Sequence, residues 1–153
     1  PLQHMYTVED QLAALTTARD HLADDGLFAF DVFFPNFDKI YDRVGEECLD
    51  MEWTIDDGTN RQVQRYFVKD SVDALNQSFS GRFIYRTYQG LELLTEQTQL
   101  LQMSFYTYPH IRLLISAAEL EIIEEFGSFD RRPLGPDARE MIFILRHSPG
   151  ARS

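Results

Sequence analysis

The sequence predicts an α/β fold, the closing part of an open sheet into which an antiparallel β segment has been inserted. Three observations predict it. Thr7 to Ala23 carries Val8, Leu12, Leu15 and Leu22 near helical spacing and runs into the apolar stretch Leu27 to Phe33. Between Met51 and Tyr108 the hydrophobic period changes to two. A second helical pattern starting at Pro109 leads into two short strand-like runs, "LEIIEEF" and "EMIFILRH". A helix and buried strand, an antiparallel insert, a helix and two strands form an incomplete doubly wound order. The expected organisation is residues 1–34 as a helix and strand unit, residues 35–108 as the insertion, and residues 109–153 as the last helix with two terminal strands.

Each element has its local reasons. Thr7 is a candidate N-cap, Glu9 and Asp10 suit the positive end of the first turn, and Gly26 lies beyond the helix end. Leu27 to Phe33 is apolar except for Asp31, the pattern of an inner parallel strand covered on both faces, and Pro35 and Asn36 stop it. Phe37 to Cys48 places Phe37, Ile40, Tyr41 and Val44 on one side of a short helix. Trp53 and Ile55 then alternate with Glu52 and Thr54, "DDGTN" supplies a turn, and "RQVQRYFV" and "GRFIYRTYQ" suit strands. "LLTEQTQLLQMSFYTY" puts Leu101, Met103 and Phe105 on one face, giving three or four antiparallel strands with polar outer faces. Pro109 fits the first turn of a helix with Ile111, Leu114, Ile115 and Ala118 inward. The loop "GSFDRRPLGPDAR" separates the last two strands.

Composition narrows the function classes. A net charge of −11 repels phosphate backbones and anionic lipid, so neither nucleic acid nor a membrane surface is expected as a partner. A single cysteine, Cys48, forms no internal disulfide, and there is no long apolar run or signal-peptide pattern; by default the chain reads as cytoplasmic. It opens on Pro1, seven residues before a helix, which suggests processing, renumbering or a fragment. His21, His110 and His147 are scattered with no metal-ligand spacing, and Cys48 has no recognisable catalytic partner.

Two stretches carry a resemblance. "LQHMYTVEDQLAALTTARDHLADDGLFAFDVFFP" looks like the segment that leaves the fourth strand, forms the next helix and enters the fifth strand of class I S-adenosylmethionine-dependent methyltransferases. "IRLLISAAELEIIEEFGSFDRRPLGPDAREMIFILR" is similar to that family's last helix and its sixth and seventh strands. The resemblance implies the C-terminal part of a Rossmann-like seven-stranded methyltransferase sheet with an antiparallel β insertion that caps the active site. It also implies methyl transfer from S-adenosylmethionine to an N, O or C atom of a small-molecule acceptor. The family's glycine-rich turn after the first strand and the acidic residue ending the second are absent, since Gly81, Gly90, Gly127 and Gly135 are isolated. Glu119 stands where the family commonly ends its last helix on glycine. The chain is therefore expected to be an incomplete fragment, inactive alone and prone to form a homo-oligomer through its exposed sheet edge. A non-catalytic small-molecule-binding or oligomerisation module is the alternative.

By family position His4 lies just past the fourth strand, at the edge where open α/β sheets bind ligands. Its imidazole suits proton transfer from a substrate amine or hydroxyl; the plainer reading is a residue packed at the helix start against Tyr6 or the insert. Leu2 and Gln3 would line the donor pocket from its rim. Phe33, Phe34 and Trp53 could wall an apolar substrate, although aromatics at strand ends are commonly core. Asp31, inside the strand expected to be buried, is either a polar group near the pocket mouth or a carboxylate paired with an arginine or a backbone donor. Arg82 and Arg86 share a sheet face, where Arg86 could grip a substrate carboxylate or pair with Glu92 or Glu96. Arg131 and Arg132 read as a solvated turn.

Overall fold

A computed structural model describes residues 2–150. After a 3-10 turn, Leu2–His4, come α1 (Val8–Asp20), β1 (Phe28–Phe33), α2 (Phe37–Tyr41), β2 (Glu47–Thr54), β3 (Arg61–Asp73), β4 (Ser78–Gln89), β5 (Glu92–Ser104), α3 (Tyr108–Ala117), β6 (Leu120–Phe126) and β7 (Glu140–His147). They separate into two units. The first joins the chain up to Asn36 with the chain from Ser104 onward; the second is Phe37–Met103.

In the first unit a three-stranded sheet has the order β1-β7-β6, with β7 antiparallel to both neighbours, so β1 and β6 run parallel. Alternation along β7 sends Met141, Phe143 and Leu145 inward with no exposure, as a period of two requires. Two helices meet that face. α3 contributes Ile111, Leu114, Ile115 and Ala118, one stripe at helical spacing, and α1 contributes Leu15. Thr7 caps α1 as its sequence position suggests: its backbone is extended and its Oγ1 accepts a hydrogen bond from the Asp10 N–H at 3.1 Å, a contribution of about 1 kcal/mol.

Two sequence expectations change here. β1 is not covered on both faces: Phe28, Phe30 and Val32 turn toward the core while Ala29 and Asp31 are exposed, because the helices cover only one side of this sheet. Asp31 is thus a solvated carboxylate rather than a group buried in the strand layer. Among the described residues β1 pairs only with β7, and its other edge carries no strand. The end of α3 is also resolved. Glu119 takes the left-handed conformation (φ 57°) usually filled by glycine, held by an ion pair from Arg19 and by the Ser148 N–H, which donates to the Glu119 carbonyl at 3.0 Å.

The second unit is a four-stranded sheet in the order β2-β3-β4-β5. The short helix expected to reach Cys48 ends at Tyr41, because Arg43 (φ 52°) and Gly45 (φ 82°) reverse the chain and β2 begins at Glu47. "DDGTN" forms the expected turn: the Ile55 N–H donates to the Arg61 carbonyl at 2.8 Å across it, with Gly58 and Asn60 in the left-handed region. No helix among the described residues is long and apolar enough to cross a membrane.

Candidate functional site

The parallel strands β1 and β6 define one end of the first unit's sheet, the end where open α/β sheets place their ligands. Four segments gather there. Phe33 and Phe34 finish β1, and the Phe34 N–H donates to the Arg139 carbonyl at 2.8 Å, tying them to the β6–β7 loop. The N-terminal ends of α1 and α3 lie at this end as well, since their C-terminal ends are tied together at the other by Arg19, which donates to the Ala118 carbonyl at 3.3 Å. The turn Leu2–His4 precedes α1, and the segment Ser104–Tyr108 leads into α3.

These two segments are bonded to each other. The Tyr106 hydroxyl donates to the Leu2 carbonyl at 2.7 Å, and the Ser104 hydroxyl donates to the Met5 carbonyl at 2.8 Å. From α1, Gln11 Nε2 donates to the same Met5 carbonyl at 3.1 Å. Tyr106 has no exposure, Ser104 is 1% exposed and Gln11 3%. Burial pushes the Tyr106 phenol well above its ordinary pKa, so it remains a donor throughout the physiological range. The His110 ring packs on Tyr106 with centroids 5.5 Å apart, and burial lowers its pKa, favouring the neutral imidazole.

The sequence-singled residues divide between the units. Leu2 and Phe34 pack on the hydrophobic core of the first, Gln3 and Phe33 are half-buried, and His4 is exposed. Gln3 Nε2 is buried with no hydrogen-bond partner among the described residues, an amide donor left over on the turn Leu2–His4. Beside these, the β6–β7 loop encloses a cleft of about 520 Å³ lined by Gly127, Ser128, Asp130, Arg132, Pro133 and Arg139, among others. At the start of α3 the Tyr108 hydroxyl donates to Glu125 at 2.8 Å and accepts from Arg112 at 3.1 Å; burial and the Glu125 carboxylate raise its pKa, against the opposing pull of Arg112.

Trp53 and Arg86 belong to the second unit. Trp53 is 39% exposed and lies opposite Val63. Arg86 is engaged on every side: Glu47 and Glu96 hold its guanidinium, which also stacks over Tyr66 at 4.8 Å from the ring centroid. This is the pairing with Glu96 considered from sequence, joined by Glu47, which the sequence did not suggest. Arg82 pairs with Asp70 at 2.8 Å. Among the described residues no group of three or more His, Cys, Asp or Glu side chains is arranged to hold a metal ion. Sequence reasoning missed Ser104, Tyr106 and Gln11. Their only local signal is a serine and a tyrosine between the end of a strand and the proline of a helix.

No family model matches the chain, and no curated protein matches it. Solved structures do. An S-adenosylmethionine-dependent methyltransferase from Clostridium acetobutylicum ATCC 824 superposes with a TM-score of 0.71 at 14% identity, over 96% of this chain and 55% of that one. The CcbJ methyltransferase from Streptomyces caelestis gives 0.68 at 18% identity, over 96% and 57%. CalS10 from Micromonospora echinaspora, an amino pentose methyltransferase solved with S-adenosylmethionine bound, gives 0.66 at 15% identity, over 96% and 54%. The fold is therefore that of part of a class I methyltransferase. The chain spans about half the length of the structures it matches.

Proposed function

We propose that this chain is the substrate-facing portion of an enzyme that transfers a methyl group from S-adenosylmethionine to a small-molecule acceptor. The observation that carries the reading is the match of nearly the whole chain, 96%, to methyltransferase folds, with the turn Leu2–His4 at the ligand-binding end of the sheet. The residues present fit one wall of a donor site. Leu2 and Gln3 line its rim, and the unpartnered buried amide of Gln3 is a donor suited to a polar ligand on that rim. The isolated glycines leave the phosphate-type cradle of such sites to residues outside this chain. When bound, S-adenosylmethionine supplies an electrophilic methyl on a sulfonium. What the chain contributes is placement, because a direct displacement at carbon depends on holding the acceptor in line. His4, exposed beside the rim, accepts the proton that an acceptor amine or hydroxyl sheds. Phe33 and Phe34 provide apolar surface at the same end. The amino pentose acted on by CalS10 supports a small, polar acceptor.

Titration calorimetry tests the reading. The full-length polypeptide carrying this segment should bind S-adenosylmethionine with a micromolar dissociation constant, near −8 kcal/mol, and this chain alone should bind weakly or not at all. Failure of the full-length polypeptide to bind the donor refutes methyl transfer. Micromolar binding by this chain alone refutes the placing of the cradle elsewhere.

A further inference from the structure

We infer that Tyr106, Ser104 and Gln11 are positioning residues: together they clamp Leu2–Met5 into a preformed rim, so that the donor pocket and His4 are set by Gln11 on the next helix and by two hydroxyls about a hundred positions away in sequence. The inference deepens the methyl-transfer reading and rests on it.

The turn has few other means of holding its shape. Four residues with a single internal backbone bond, from the Met5 N–H to the Leu2 carbonyl at 3.0 Å, do not define a stable 3-10 turn by themselves. Its carbonyls are instead taken from outside. The Leu2 carbonyl receives the Tyr106 hydroxyl besides the Met5 N–H, and the Met5 carbonyl receives both Ser104 and Gln11. The two pinned peptides bracket Gln3 and His4, the residues placed at the rim and at the acceptor. All three donors are at least 97% buried.

Chemistry explains the choice of side chains. A buried phenol with a raised pKa cannot ionise near neutrality, so its hydrogen bond persists across the working pH of a methyl transfer. The Ser104 side chain is short and 1% exposed, so burial holds its hydroxyl on the Met5 carbonyl. In a reaction governed by alignment, fixing the rim in advance removes ordering entropy from the bound state.

The test uses Tyr106→Phe, Ser104→Ala and Ser104→Thr in the full-length polypeptide. Removing one hydroxyl from a pinned carbonyl should speed exchange of the Met5 amide about tenfold, the effect of one buried hydrogen bond. It should weaken S-adenosylmethionine binding several-fold and lower kcat, while circular dichroism stays that of the parent. Ser104→Thr keeps the hydroxyl and should restore both readouts. A merely structural role would lower the melting temperature and leave the dissociation constant, measured well below melting, unchanged; that result overturns the inference. Unchanged Met5 exchange in Tyr106→Phe and Ser104→Ala overturns it as well. Should the parent polypeptide bind no donor, methyl transfer itself fails, and Met5 exchange alone decides whether the clamp exists.

Discussion

Gly127 closes the β6–β7 loop, and replacing it with alanine has a cost that follows from three distances. A Cβ there meets the Pro133 carbonyl oxygen at 2.9 Å, the Ala138 Cβ at 2.9 Å and the Leu134 Cα at 3.3 Å. Two of these are backbone atoms, so no rotamer change relieves the clash. The loop must open instead. Opening strains the bond from the Gly127 N–H to the Arg132 carbonyl (2.8 Å) and those from the Arg139 and Glu140 N–H groups to the Gly127 carbonyl (3.3 Å each). Overpacking at a tight site costs roughly 1–3 kcal/mol, and each backbone bond contributes about 1 kcal/mol net. Since the two longer bonds are weak to begin with, Gly127→Ala should destabilise by about 2–3 kcal/mol. For a chain of this length that is roughly 5–10 °C in melting temperature, read by calorimetry or circular dichroism. Adding Ala138→Gly removes one of the two closest contacts and should recover only part of the loss, because the Pro133 carbonyl remains. A Gly127→Ala chain within about 0.5 kcal/mol of the parent, or full recovery in the double variant, would refute the steric argument.

The other predictions concern the site, the edge and the turn of the insert. His4→Ala in the full-length polypeptide should lower kcat by 10²-fold or more while changing donor affinity little, as loss of a general base does; unchanged turnover on the true acceptor leaves His4 a packing role. The side of β1 that pairs with no strand among the described residues should make the isolated chain self-associate, visible by light scattering at micromolar concentration. A soluble monomer with strong amide protection across Phe28–Phe33 counts against that. Asp57 accepts hydrogen bonds from Thr59 and Arg61, which hold its pKa down at about 2 against an ordinary 3.8. A depressed carboxylate stabilises above its unfolded pKa and loses that contribution as pH falls through the folded value. The turn at Gly58 should therefore persist at pH 4 and melt toward pH 2, as followed by the NMR shifts of Thr59; melting already at pH 4 contradicts it.

Where one residue's chemistry decides its place, the sequence was readable. Thr7 capped α1, Pro109 fell in the first turn of α3, and the run "EMIFILRH" located β7. Errors arose where the second face of a strand is left open among the described residues or where backbone reversal depends on an unusual residue. The run from Phe28 to Phe33 looks like a strand buried on both faces, yet nothing among the described residues covers Ala29 or Asp31. Arg43 turns the chain in the left-handed region without being glycine, so the end of α2 was marked only by Gly45, four residues beyond it. The candidate site was half legible. Leu2 to His4 came from a family-like stretch, whereas the hydroxyls that hold that stretch come from β5 and from the residues just after it, and no periodicity relates positions 104 apart.

That separation also shapes how the chain folds. The first unit is assembled from both ends of the polypeptide, and contacts such as Leu2 with Tyr106 close a loop of 104 positions, the slow, entropically expensive kind of step. The second unit needs only neighbouring hairpins, β2 to β3 and β3 to β4, whose turns are local. Hairpins form in microseconds, so the insert's sheet is expected to form before the ends meet, which stopped-flow refolding of variants in its turns would check. Once formed, it draws the edge strands β2 and β5 to within three strand spacings, about 14 Å, and the long loop becomes a short one. Synthesis runs in the same order, since β2 to β5 leave the ribosome before α3, β6 and β7. On this expectation the inserted sheet acts as a kinetic template, and substitutions in its turns should slow formation of the other unit's core; unchanged refolding rates would refute it.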